Sequence, residues 1–430
     1  MENLNLVSSE SGLPCESTLK NHWIFVWMYL LLGYGFVCVF TDFGYDSHFR
    51  RNIPLITAAY AAVVIFWLRK ENKRMAAESW FWLAVMGAIA IPYAFWSIMP
   101  VLQVLVLLVT TAYWTLSASG ALIEQHETSQ WILVDVWHAA VDVPFRHICC
   151  YWRELRGGVR RTRSGRRMAG MLLGLGIAMP VLAVALPLLG RADAGFQILV
   201  RQGMDYFWRN CLGYFLRFLL SVPVAAYLFG LAYGGIIRKS TSHFHKDSAS
   251  AVVMKLHAVP DVAVSTAVVA VCAAYLVFIG LQSSYLFSAF AGLRPENFTY
   301  AQYARQGFFE LCQISLLNIA VLLGANSFSK TVRRENKVLR WLNVLMSVLT
   351  LLLILTAASK MLLYISAYGF TVKRILTSVF MLWIAIVFVL NVVQQRRELP
   401  FVQYAVLSGA ILFCALCVAP VGHLVSAAMP

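Results

Sequence analysis

The passage FTYAQYARQGFFEL at residues 298–311 runs without a break into CQISLLNIAVLLGAN at residues 312–326. The second part is apolar for long enough to cross a bilayer, whose hydrocarbon core of about 30 Å takes roughly 20 residues of α-helix. The first part places Arg305 and Glu310 where such a span begins. Charge at that depth is costly and tends to be functional. This passage therefore points to a membrane fold and to the first place to look for chemistry.

Composition extends the reading to the whole chain. Of 430 residues, 60% are hydrophobic and 13% charged, about half the charged share of an ordinary soluble chain. Several apolar runs have spanning length, and the period-two alternation of a membrane barrel is missing. The expected fold is all-α: a polytopic transmembrane helical bundle of about eleven spans. The net charge of +15 sits in short loops between apolar runs, which excludes nucleic acid as a partner and implies the lipid bilayer. Nine scattered cysteines give no legible disulfide framework, and the CxxC of Cys414 and Cys417 reads as small packing residues within an apolar run. No HExxH, P-loop, GxSxG or zinc pattern is present, so no catalytic residue, metal or cofactor is implied.

The expected spans are residues 22–40, 53–68, 80–96, 98–119, 168–189, 211–236, 262–287, 307–326, 342–368, 375–393 and 402–421. Residues 1–21 form a polar N-terminal tail without a basic leader segment, so the first span is expected to be retained. The second and third boundaries fall after residues 119 and 167, giving a four-span unit at 22–119 and a seven-span unit at 168–430. Spans three and four make a tight hairpin around Pro92 and Pro100. Gly230 and Gly234 form a GxxxG that permits close helix approach.

Residues 120–167 are the one long polar connection. In residues 131–144, Val134, Trp137 and Val141 oppose Asp135, His138 and Asp142, as in an interfacial amphipathic helix. Those acids and His138 could offer ligands to a metal, but a solvated polar face explains them more simply, and Pro144 is expected to interrupt the helix before His147. Arg153, Arg156, Arg160, Arg161, Arg163, Arg166 and Arg167 come next, with only Glu154 against them. Such a cluster belongs on the cytoplasmic side, in contact with anionic lipid headgroups. With it, 69–74, 238–255, 330–340 and 396–397 inside, the N-terminus lies inside and the C-terminus outside. Lys373 and Arg374 are the exception, a basic pair in a short outer loop.

In that orientation Arg217, Arg305, Glu310 and Lys360 fall at comparable depth near the outer leaflet, with Tyr364 one turn beyond Lys360. Glu310 is expected to pair with Lys360 or Arg217, since unpaired charge in hydrocarbon costs at least about 2.5 kcal/mol. Such a cluster serves either as a polar or ion path or as a clamp between helices. RQGMDY at 201–206 and RQGFFE at 305–310 both precede spans, a likeness short enough to arise by chance.

Three segments carry a family likeness. YARQGFFEL at 303–311, KMLLYISAYGFT at 360–371 and RNCLGYFLRFLL at 209–220 resemble an uncharacterised bacterial membrane-protein family, a domain of unknown function. The resemblance covers about residues 168–395 and implies a multi-pass protein of the bacterial inner membrane. It implies no activity. The leading functional reading is a secondary transporter or permease-like protein with an outer-leaflet polar site. The other is a non-catalytic subunit or sensor that meets a membrane protein partner through its arginine-rich loop.

Overall fold

In hydrocarbon an apolar chain satisfies its backbone within the α-helix, and the described residues are helical almost throughout. The computed structural model describes residues 23–41, 47–124, 127–161, 212–237, 260–281, 288–291, 299–328, 336–397 and 399–421, with isolated positions between 167 and 206 and at 283. The helices are α1 (Trp23–Thr41), α2 (Ser47–Lys70), α3 (Ala77–Tyr93) and α4 (Pro100–Ser119). A short α5 (Ile132–Trp137) passes through a π turn (His138–Asp142) into α6 (Val143–Arg161). Then come α7 (Leu212–Ile236), α8 (Asp261–Leu281), α9 (Tyr300–Phe328), α10 (Lys337–Tyr368), α11 (Val372–Gln394) and α12 (Phe401–Val418).

Nine of these, α1, α2, α4 and α7 to α12, are long and apolar enough to cross a membrane. Two of the eleven expected spans account for the difference. The expected span at 168–189 is described only at scattered positions, all of them helical, and no continuous helix is delimited there. The expected span at 80–96 is α3, which has 17 residues and stops just after Pro92. Proline lacks the N–H that would continue the ladder, and the backbone amides of Phe95 and Trp96 both turn back to the Pro92 carbonyl at 2.9 Å.

The chain divides into two compact units: Met1–Trp80 with Leu108–Ala121 and Asp135–Thr241, and Phe81–Leu107 with Leu122–Val134 and Ser242–Pro430. In the first, α7 is the hub, and small residues let three neighbours approach it. A side chain at Gly33 of α1 would meet the Ser221 carbonyl at 2.7 Å, one at Gly230 the Pro144 carbonyl at 2.6 Å, and one at Gly235 the Ser119 hydroxyl at 2.6 Å. The expected GxxxG thus lies against α6, with Gly234 under Val143 and His147. Aromatic rings fill the space between helices: Phe25 stacks on Trp67 at 4.3 Å, and Phe229 meets Tyr29, Trp67, Tyr151 and Tyr233. Lys73 donates to the carbonyl of Ile236, the last residue of α7, where a cation also complements the helix dipole.

Asp135, expected on a solvated polar face, is buried at 2% exposure, while Trp137 of the expected apolar face is 63% exposed, as a residue turned toward lipid would be. The helical path then gains a residue in the π turn, which rotates the residues beyond it. The helix also continues through Pro144 rather than breaking there. The Val143 amide reaches back to the His138 carbonyl. The Ala140 carbonyl, which the absent N–H of Pro144 would have met, instead accepts the Tyr227 hydroxyl at 2.7 Å. Asp142 accepts from Arg146 at 2.8 Å and lies 3.1 Å from His138. Cys150 is disulfide-bonded, a pairing the scattered cysteines did not reveal, and the adjacent Cys149 is a free, exposed thiol.

In the second unit α10 takes the central place, packed against α8, α9 and α11. Its buried apolar residues include Met346, Leu349, Ile354, Ala357 and Met361, which meet Leu311 and Leu322 of α9 and Phe388 of α11. At 32 residues α10 is about 48 Å long, more than the hydrocarbon core requires. It can therefore cross a core of ordinary thickness at a tilt or with residues to spare.

Candidate functional site

Sequence alone put charge at Glu310 and Lys360, one on α9 and the other on α10. The structure brings both to the wall of one cavity of about 220 Å³, whose lining also includes the polar Gln313 and Thr356 and the apolar Phe278, Ile314 and Leu353. Lys360 is among the most deeply buried side chains of the chain, at 2% exposure. Its room comes from Gly307: a methyl group there would stand 2.8 Å from the lysine Cδ. Gly203, in the similar RQG passage, has nothing within 4 Å, so the two passages do not share this role.

The lysine ammonium lies 4.7 Å from the centre of the Tyr303 ring, a favourable distance for a cation on an aromatic face. Tyr303 is itself fixed by a 2.8 Å hydrogen bond between its hydroxyl and that of Ser288. The Glu310 carboxylate accepts from Gln306 at 2.9 Å, one turn back on α9. Tyr364 has a different occupation: the Arg374 guanidinium lies 3.9 Å above its ring. Arg374 also donates to the Tyr368 carbonyl at 3.0 Å and to that of Gly369 at the end of α10. This lysine-arginine pair, the exception to the expected charge pattern, thus has one member engaged in capping a helix.

The remaining expected site residues are elsewhere. Arg305 is exposed on α9, and Arg217 is half-buried on α7 in the first unit. Arg153, Arg156 and Arg167 are exposed. Arg163 and Arg166 lie outside the described residues, as do the side chains of Arg160 and Arg161 at the end of α6. Among the described residues no group of three or more His, Cys, Asp or Glu side chains is placed to hold a metal.

The functional candidates that sequence reasoning missed are neutral. Asn318 of α9 is fully buried, accepts from the Tyr275 hydroxyl of α8 at 2.6 Å and donates to Thr350 of α10 at 2.7 Å. Further along α10, Ser347 lies 3.2 Å from the Asn391 carbonyl oxygen of α11 and also donates to the Asn343 carbonyl at 2.8 Å. Asn391 in turn accepts from Gln395. A second cavity of about 190 Å³ opens here, with Gln130, Asn391 and Gln394 on its walls. From Asn343 to Lys360 the buried polar positions of α10 extend over about 25 Å, most of the thickness of a hydrocarbon core. Asn343, Ser347 and Thr350, spaced at i, i+4 and i+7 on α10, were legible only as helix, because their significance depends on partners from other helices.

Long apolar helices that satisfy their own backbones, with buried polar groups confined to the interior, define a multi-pass α-helical membrane protein. The chain belongs to the family described as a domain of unknown function, DUF4153, whose model matches residues 80–428. The match is broader than the residues that first carried the resemblance and includes the arginine-rich connection. Neither a curated protein nor a solved structure matches the chain.

Proposed function

We propose that this protein is a secondary transporter or permease-like protein whose substrate path runs through the second unit. The observation that carries the reading is the cavity in which Glu310, Gln313 and the buried Lys360 meet inside an apolar bundle. A buried lysine facing a half-exposed carboxylate is a poor way to hold helices together, since a buried charge carries a desolvation cost that apolar residues of the same volume avoid. Their presence at a cavity is better accounted for by something that enters it. The second cavity at Asn391 and Gln394 and the Tyr275, Asn318 and Thr350 bonds at an intermediate level of α9 and α10 fit two access points with a closed segment between. The test is gentle solubilisation from native membranes and mass spectrometry of the molecules that stay bound to the wild type and to Glu310→Gln. A small molecule lost from the still-folded variant is the expected result. A stoichiometric protein partner retained by both would replace this reading with that of a subunit or sensor.

The protein is placed in the bacterial inner membrane, with its arginine-rich segment against anionic headgroups on the cytoplasmic side. A disulfide at Cys150 belongs to an oxidising compartment, so two signals near α6 point to opposite sides. Cys149 separates them. A membrane-impermeant maleimide is expected to label it in inverted vesicles and not in intact cells, with Cys149→Ser as the control. Labelling only in intact cells would reverse the orientation.

A further inference from the structure

The outer cavity also carries information about the chemistry of its occupant. Lys360 supplies a cation with three donors, held beside Gly307 and over the Tyr303 ring. Glu310 lies three residues further along α9, about 4.5 Å along the helix axis. Its carboxylate spends one acceptor position on Gln306 and keeps others. Phe278, Ile314 and Leu353 add apolar surface to the lining. The cavity of about 220 Å³ has room for about seven waters, enough for a small molecule.

Each simple class of ligand fits poorly. An anion would meet Lys360 but be repelled by Glu310, and a cation would meet Glu310 but be repelled by Lys360. A neutral apolar molecule would displace water from both charges and give nothing back, which is the costly way to bury an ion. A molecule bearing both signs within a few ångströms satisfies both walls.

We propose that this cavity binds a small zwitterion of the α-amino acid class, its carboxylate toward Lys360, its ammonium toward Glu310 and a short apolar side group toward Phe278, Ile314 and Leu353. The proposal rests on the transport reading for its purpose but not for its chemistry, and binding can be measured without flux. The full chain in lipid nanodiscs is titrated with tritiated L-valine in competition with 3-methylbutanoate, which lacks the ammonium, and 2-methylpropylamine, which lacks the carboxylate. Losing one charged contact is worth about tenfold to a hundredfold, so each analogue is expected to compete at least tenfold more weakly than valine. In Glu310→Gln the preference over 3-methylbutanoate should collapse, and in Lys360→Gln the preference over 2-methylpropylamine. A variant that simply misfolds would lose all three ligands together, and the wild-type series does not depend on either variant. Wild-type protein that binds none of the three at millimolar concentration, or binds one analogue as well as valine, overturns the proposal. Binding of valine without uptake into proteoliposomes would remove the transport reading and leave the zwitterion site standing.

Discussion

The two units are built from apolar helices of similar length, but different groups hold them together. In the first, glycines let α1, α4 and α6 press against α7, and rings such as Trp67 and Phe229 fill the gaps. In the second, packing around α10 is interleaved with amides, hydroxyls and two charges that face cavities. Lipid gives helices little hydrophobic reason to associate, so close backbone approach and interhelical hydrogen bonds are the available means. The first unit relies mainly on close approach. The second adds groups that can exchange partners with water or a ligand, as the proposed transport path requires.

The sharpest way to break this contrast is to deny the first unit its close approach. Gly230→Leu drives a side chain into the Pro144 carbonyl, a backbone atom that cannot swing aside. It is expected to cost about 3 kcal/mol or more, read as a large drop in melting temperature in detergent. A variant that melts like the wild type would show that α7 and α6 are not tightly packed.

The second unit should respond in the opposite proportion. Asn318→Leu removes the bonds to Tyr275 and Thr350, yet interhelical hydrogen bonds in membranes contribute only about 0.6 kcal/mol on average. Stability should fall by about 1 kcal/mol or less, while retention of the co-purifying small molecule falls sharply. Equal losses in both would make Asn318 a structural clamp.

The smallest effect is expected at Tyr151. Its ring packs on Phe229, and its buried hydroxyl has no hydrogen-bond partner among the described residues. Tyr151→Phe should leave stability at neutral pH unchanged or slightly raised. Burial pushes the phenol up to about 12, against about 10 in an unfolded chain. The native state therefore keeps a proton that the unfolded state loses, and stability declines as pH rises between those values. Phenylalanine should remove that part of the alkaline decline, as followed by melting temperature against pH.

Much of this organisation was legible in the sequence because hydropathy is local. The run at 342–368 reads as a span, within the helix Lys337–Tyr368 that the structure shows, and Glu310 and Lys360 stand out as charges within or beside such runs. Pro92 was visible, but its ending of α3 three residues early depended on how the Phe95 and Trp96 amides would turn. The burial of Asp135 was not legible because it depends on what packs over that residue rather than on helical spacing. Asn318, Thr350 and Asn391 passed unnoticed since a lone amide or hydroxyl in an apolar helix gains meaning only from the helix opposite. Gly307 was read as part of a motif, and only Lys360 packed above it explains why the residue is glycine.

The most direct test of a working second unit asks whether the cavity at Lys360 is reached from both sides of the membrane. Thr356 lines that cavity and is nearly inaccessible, at 2% exposure, so Thr356→Cys places a small thiol there with little change in volume. A membrane-impermeant methanethiosulfonate cation is then applied to intact cells and to inverted vesicles, with the parent protein as background. Modification from both faces, slowed by L-valine, is the predicted result. Modification from one face only, at a rate indifferent to ligand, would make the cavity a static pocket and contradict the account.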